Sequence, residues 1–254
     1  MAEDLYDIVI LGGGSGGYAC ALRSAQLGKK VALIEEDKLG GTCLHRGCIP
    51  TKALLHAAEV ADSTRESELF GVQATLQGID MAGVNKYKDG VVSRLYKGLQ
   101  GLVKSRDITY VTGTGRLVGK DAVEVDGQTY RGRAVVLATG SFARSLPGLD
   151  IGGRIITSDQ ALQLDFVPKS AIVLGGGVIG VEFASVWTSF GAEVTIVEAL
   201  PRLVPAEDEA CSKALERAFR KRKIAFHTGV RFSGATQDAS SVTVTLEDGK
   251  TLTA

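Results

Sequence analysis

Two cysteines carry the most specific chemistry in the chain. Cys43 and Cys48 bracket Leu44-His45-Arg46-Gly47, directly after Gly40-Gly41-Thr42 and at the opening of a stretch that reads as a helix. A helix start favours thiolate over thiol, because its unsatisfied N–H groups and dipole stabilise negative charge. Pro50 suits a first helical turn, where no N–H is needed. Three readings compete: a redox disulfide, two buried thiols, or half a metal site. Zinc would need a second Cys/His pair at ligand spacing, and His45 alone does not supply one, so a redox pair leads and no metal is expected. Cys20 and Cys211 fall on helical segments without a Cys or His partner at motif spacing and read as packing residues.

Two glycine turns add a second chemistry. Gly12, Gly14 and Gly17 follow the apolar run Ile8-Val9-Ile10-Leu11, and Glu35 ends the next apolar run. In such a βαβ unit the first glycine permits the turn, the second admits a pyrophosphate, and the third lets helix pack on strand. The acid accepts from ribose hydroxyls. Gly175, Gly177, Gly180 and Glu198 repeat the pattern at a constant offset of 163 residues. The chain is therefore expected to hold two dinucleotides, the alternative being an ancestral duplication in which one site is lost. At the second site Glu198 favours a free 2′-hydroxyl and repels a 2′-phosphate, so NAD is expected over NADP although Arg202 lies close behind. Lys52, one helical turn after Cys48, and Glu182, two residues after Gly180, read alone as surface charges; beside two cofactor turns they become candidates for an ion pair.

The elements that must position these residues follow from periodicity. Helices are expected over Thr51–Ala61, Asp80–Lys104 and Ala206–Lys223, and a strand-rich meander over Ile108–Val136. Further strands are expected near Ile224–Phe226 and Val242–Leu246, with Glu247-Asp248-Gly249-Lys250 as a hairpin turn. The turn-rich Ser145-Leu146-Pro147-Gly148 marks a boundary between domains at 1–147 and 148–254. Of 254 residues, 44% are hydrophobic, enough for a core, and 29 basic residues balance 29 acidic ones. Zero net charge argues against nucleic-acid or membrane-surface partners. The acidic start and the lack of a long apolar run point to a cytoplasmic protein.

Taken together, Gly40 to Leu55, Ala138-Thr139-Gly140-Ser141 and Gly175 to Glu182 resemble the active-site block, second flavin contact and NAD motif of the pyridine nucleotide–disulfide oxidoreductases. The resemblance runs along essentially the whole chain. It implies an α/β protein with two Rossmann-like domains, parallel sheets and β-meanders. FAD would be bound through Gly12, Gly14, Gly17, Glu35, Glu36, Gly41, Thr42, Lys52, Gly115, Thr139, Gly140 and Ser141. NAD would be bound through Gly175, Gly177, Val178, Ile179, Gly180, Glu182, Glu198 and Val230. Cys43 would exchange with substrate, Cys48 would face the flavin, and Lys52 and Glu182 would pair near the flavin N5.

Within the family, Gly180, Glu198 and Val178 are most similar to the branch that oxidises dihydrolipoamide with NAD+, as the E3 component of 2-oxoacid dehydrogenase complexes. A mercuric or glutathione-like reductase and a non-catalytic flavin-binding module are the alternatives. The family pattern adds a later flavin motif and a dimer-interface domain with a His-Glu base pair, which these residues do not include. The full-length protein is accordingly expected to be a homodimer, and this chain alone is expected not to sustain turnover.

Overall fold

The computed structural model describes residues 5–254. Its elements run β1 (Leu5–Leu11), α1 (Ser15–Gln26), β2 (Val31–Glu35), α2 (Gly41–His45), α3 (Cys48–Arg65), α4 (Met81–Ser105), β3 (Thr109–Thr112), β4 (Arg116–Gly119), β5 (Ala122–Val125) and β6 (Gln128–Leu137). They continue with α5 (Ser158–Ala161), β7 (Ser170–Leu174), α6 (Val178–Phe190), β8 (Glu193–Glu198), α7 (Glu209–Lys221), β9 (Ala225–Thr228), β10 (Phe232–Gln237), β11 (Val242–Leu246) and β12 (Thr251–Thr253). By contacts, one unit comprises residues up to Pro50 and Asp89–Phe142, and the other Thr51–Lys88 and Ala143–Ala254. Segment 51–88 thus groups with the later residues, a placement that a single linear boundary does not express.

In the first unit a six-stranded sheet has the order β3-β2-β1-β6-β5-β4. β1 pairs in parallel with β2 and β6, and β2 in parallel with β3. Side chains alternate along β1 and β2. Ile10, Val31 and Leu33 join one core cluster, while Val9, Ala32 and Ile34 join another. Both sheet faces are therefore buried, which is why these strands read as continuous apolar runs. Only β4, β5 and β6 form the expected meander, with antiparallel pairing. The meander reading is corrected for Thr109–Thr112. That strand lies parallel to β2 at the sheet edge, delivered there by α4 as the crossover helix.

The second unit repeats the parallel arrangement as β7-β8-β9 and adds the antiparallel sheet β10-β11-β12. Val194 and Ile196 of β8 enter the core that holds α6, whereas Val197 enters the cluster with Val244 and Leu246. α6 buries Val181, Phe183, Ala184, Val186, Trp187 and Phe190. The expected hairpin turn joins β11 to β12, with the Lys250 N–H donating to Asp248 Oδ1 at 3.0 Å. α3 begins at Cys48, three residues before the expected start. α5 and β10 carried no clear sequence period and were not expected.

Candidate functional site

In the first unit the site grows from the β1–α1 turn. Gly12 has φ +105°, and a Cβ there would overlap the Ala138 carbonyl oxygen; a Cβ at Gly17 would overlap the Gly12 carbonyl oxygen. These two glycines are required by close packing of turn, helix and strand. Gly14 differs, since the nearest heavy atom to a Cβ there is Gly41 Cα at 3.8 Å. The turn therefore leaves open space where a phosphate would approach. Gly14 is also the N-cap of α1, and no side chain caps it, which leaves first-turn N–H groups to an anion.

Glu35 is tied to this turn. Its Oε2 accepts from the Gly13 N–H at 2.6 Å, and its Oε1 from the Asp37 N–H at 2.9 Å. The cysteine block is tied to it too. The Gly40 N–H donates to the Gly13 carbonyl at 2.9 Å, and a Cβ on Gly41 would lie 2.6 Å from Gly14 Cα. α2, with Thr42 and Cys43, thus starts against the phosphate turn. The Ala138 N–H donates to the Leu11 carbonyl at 2.8 Å, which brings exposed Thr139, Gly140 and Ser141 to the same end of the sheet. Glu36 is exposed and accepts a long 3.5 Å bond from Thr114. A Cβ at Gly115 would lie 2.5 Å from Leu11 Cδ1, so packing alone accounts for that glycine.

Cys43 is half-buried and Cys48 exposed, and both are thiols in this structure. His45, between them, is anchored by Nε2 on the Leu39 carbonyl at 2.8 Å and meets Tyr96 edge-on at 5.0 Å. Cys20 lies 4.0 Å from the Ser24 hydroxyl on α1, and Cys211 is exposed on α7. Among the described residues no group of three or more His, Cys, Asp or Glu side chains is arranged to hold a metal ion.

The second unit reproduces the turn. A Cβ at Gly180 would overlap the Gly175 carbonyl oxygen, whereas Gly175 and Gly177 face open space. Gly177 is the N-cap of α6, again without a side-chain cap, and Val178 and Ile179 are exposed beside it. Glu198 is buried, and its carboxylate accepts from Gly176 and Leu200 N–H groups, each at 2.7 Å. Val230 closes the same corner, donating its N–H to the Glu198 carbonyl at 3.2 Å. Arg202 does not reach toward a nucleotide. Its guanidinium donates to the carbonyls of Glu207 and Pro205, both at 2.8 Å, and to the Ser212 hydroxyl at 2.6 Å. Lys52 Nζ and Glu182 Oε1 meet at 2.5 Å, as the sequence positions suggested.

Both acids thus perform a task that sequence reasoning missed: each latches the middle glycine of its turn. The identical 22-residue spacing of the pairs Gly13/Glu35 and Gly176/Glu198 was the available signal. The glycine turns leave room for pyrophosphates and present N–H groups to them, so the residues fit two dinucleotides.

A family model described as pyridine nucleotide-disulphide oxidoreductase matches residues 6–254. The chain belongs to this family. Family members are FAD- and NAD-using oxidoreductases. Among curated relatives, dihydrolipoyl dehydrogenase of Bacillus subtilis (strain 168) is 43% identical over 265 residues, spanning 98% of this chain and 56% of the relative. Of solved structures, LpdA from Mycobacterium tuberculosis superposes with a TM-score of 0.88 at 28% identity, covering 97% of this chain and 56% of that one. The HOCl-induced flavoprotein disulfide reductase RclA from Escherichia coli gives 0.80 at 28% identity, over 98% of this chain and 54% of that one. The chain spans about half the length of the curated relatives it matches.

Proposed function

We propose that the protein is a dithiol/disulfide oxidoreductase that oxidises dihydrolipoamide with NAD+, through a Cys43–Cys48 redox pair. The observation that carries this reading is the seating of the cysteine block on the first glycine turn, through the Gly40–Gly13 hydrogen bond and the Gly41–Gly14 approach. That contact supports a dithiol working beside a dinucleotide bound at the first glycine turn.

The stoichiometry balances within the named groups. The dithiol of dihydrolipoamide is oxidised to a disulfide, and the Cys43–Cys48 disulfide is reduced to two thiols by the same two electrons and two protons. Reoxidation returns the two electrons as a hydride to NAD+ and releases one proton. FAD, when bound, supplies the two-electron relay between thiols and nicotinamide. This chain's residues do the rest. Gly14 and the uncapped α1 N-terminus receive one pyrophosphate, and Gly177 and the α6 N-terminus receive the other. Glu35 and Glu198 hold the ribose ends while keeping both turns in shape. The Lys52–Glu182 pair places a cation and a carboxylate at the nicotinamide turn. Sequestered Arg202 leaves the negative Glu198 to set the choice, which favours NAD over NADP. Cytoplasmic location, a homodimeric full-length form and service to lipoyl domains of 2-oxoacid dehydrogenase complexes belong to the same proposal, as do an FAD domain over 1–147 and an NAD domain over 148–254.

The test is thiol counting. Intact-mass analysis after alkylation should add two more labels to reduced than to air-oxidised protein, with both extra labels mapping to Cys43 and Cys48. Labels that appear equally in both states would remove the redox pair from the reading.

A further inference from the structure

The Lys52–Glu182 pair contributes little to holding its own geometry. The Lys52 side chain is 57% exposed, and such a pair contributes only about 0–1 kcal/mol. A second fastening joins the same two helices further along. The Ser189 hydroxyl of α6 donates to Asp62 Oδ2 of α3 at 2.5 Å. Arg222, at the C-cap of α7, grips one face of α6 across a turn: NH1 donates to the Ser185 hydroxyl at 2.5 Å, and NH2 to the Ser189 hydroxyl at 2.7 Å and the Ser185 carbonyl at 3.2 Å. Its 3.5 Å approach to Asp62 is partly exposed on both sides and counts for less. The other Asp62 oxygen is oriented by Arg65 at 2.8 Å. Leu54 and Ala58 of α3 share a core with Ala184 and Val186 of α6 between the two fastenings.

We propose that the Asp62–Ser189–Arg222 clasp is a positioning device for the Lys52–Glu182 pair. The inference rests on the reading of that pair as part of the nicotinamide site. One polar contact between packed helices leaves a pivot; two contacts on rigid helices fix both rotation and slide. Asp62 lies ten residues from Lys52 on α3, and Ser189 seven from Glu182 on α6. What the clasp sets at one end is therefore transmitted to the other, including the α6 first turn where an anion would bind. The hydroxyl-to-carboxylate bond and the Arg222 bonds to the two serines are all charge-assisted. Asp62 touches neither glycine turn nor cysteine and is a positioning residue.

Hydrogen exchange across the 254-residue chain tests this without any cofactor. Asp62→Ala should speed exchange at Val181–Ala184, beyond the residues that touch the clasp, by about fivefold or more. Asp62→Asn keeps an acceptor for Ser189 and should restore most of the protection. Ser189→Ala should show the Asp62→Ala pattern in weaker form, and decides the matter if Asp62→Ala does not fold. Acceleration confined to residues 185–190, or spread evenly over β7, β8 and β9, would overturn the proposal, since the first is a local and the second a merely structural effect. NAD titration of the same proteins separates the two layers of argument. Loss of affinity in Asp62→Ala with recovery in Asp62→Asn supports both. A native chain that binds no NAD sinks the site reading, while the exchange pattern still judges the clasp.

Discussion

Glu198 shows how one carboxylate can serve two purposes that a substitution will not separate. Its oxygens satisfy the Gly176 and Leu200 N–H groups inside a buried corner. Glu198→Arg, the intuitive switch toward NADP, would strand both donors at about 1–3 kcal/mol each. Its expected outcome is therefore a destabilised protein that binds neither nucleotide well. Glu198→Gln keeps one acceptor but turns an NH2 toward the second of the two N–H groups. It should strand one donor, at about 1–3 kcal/mol of stability, and weaken NAD about tenfold through the lost charge. Calorimetric titration of NAD and NADP with both variants, beside thermal melts, checks this. The glycines divide in the same way. Gly17→Ala forces a Cβ into the Gly12 carbonyl and should cost about 1–3 kcal/mol of stability. Gly14→Val meets nothing nearer than 3.8 Å at its Cβ. It should fold and melt near the native temperature yet lose most of its flavin on dilution. Full flavin retention in a folded Gly14→Val protein would move the first site elsewhere.

At the level of elements, the parts written in period and punctuation were legible, and those fixed by long-range pairing were not. Both βαβ units, α4 and β11 could be read, because apolar runs, glycine turns and an 81–105 amphipathic stripe encode them locally. β3 was misassigned to the meander because strand partners leave no trace in a short Thr-Tyr-Val-Thr run. Val204 is a sharper case. It sits at φ +44°, and its N–H donates to the Gly176 carbonyl at 2.7 Å. Gly40 performs the same task for Gly13 at φ +107°. A glycine in that role is readable; a valine forced there by the fold is not. The site shows the same limit. Glycines, acids and cysteines were visible, whereas the latching of the turns, the sequestration of Arg202 and the Asp62 clasp depend on side chains far apart in sequence. α7 offers a local test. Asp208 caps it by accepting from the Ala210 N–H at 2.8 Å. Asp208→Ala should cost about 1 kcal/mol by urea unfolding with an unchanged slope; Asp208→Asn should cost much less.

For the molecule as a whole, protonation and the histidines set two limits. His227 is held below its ordinary value near 6.5, first by burial and then by Lys250, which lies 3.3 Å away, against a smaller opposing pull from Asp248. As pH falls through that ordinary value the unfolded chain takes up a proton before the folded one does, so stability declines on the acid side. His227→Gln should flatten that limb in urea unfolding at a series of pH values. Turnover is limited differently. On the proposed function, oxidising a dithiol through Cys43 would need a general base that accepts a proton from the incoming thiol near neutral pH. The sequence holds three histidines, and only His45 lies within the cysteine block. His45 is anchored on the Leu39 carbonyl, His56 meets Glu59 at 3.1 Å, and His227 lies against Lys250. Loss of general-base catalysis typically costs about 10²–10⁴-fold, so these 254 residues should give less than about 1% of the steady-state dihydrolipoamide oxidation of a full-length relative. Thiol exchange itself does not need that base at high pH, where the substrate dithiol ionises unaided. Stopped-flow reduction of the flavin-loaded chain should therefore quicken steeply between pH 7 and 9 and approach a plateau. A rate that is fast and flat near neutrality would show that a base resides within this chain, and His45 would be the residue to replace first.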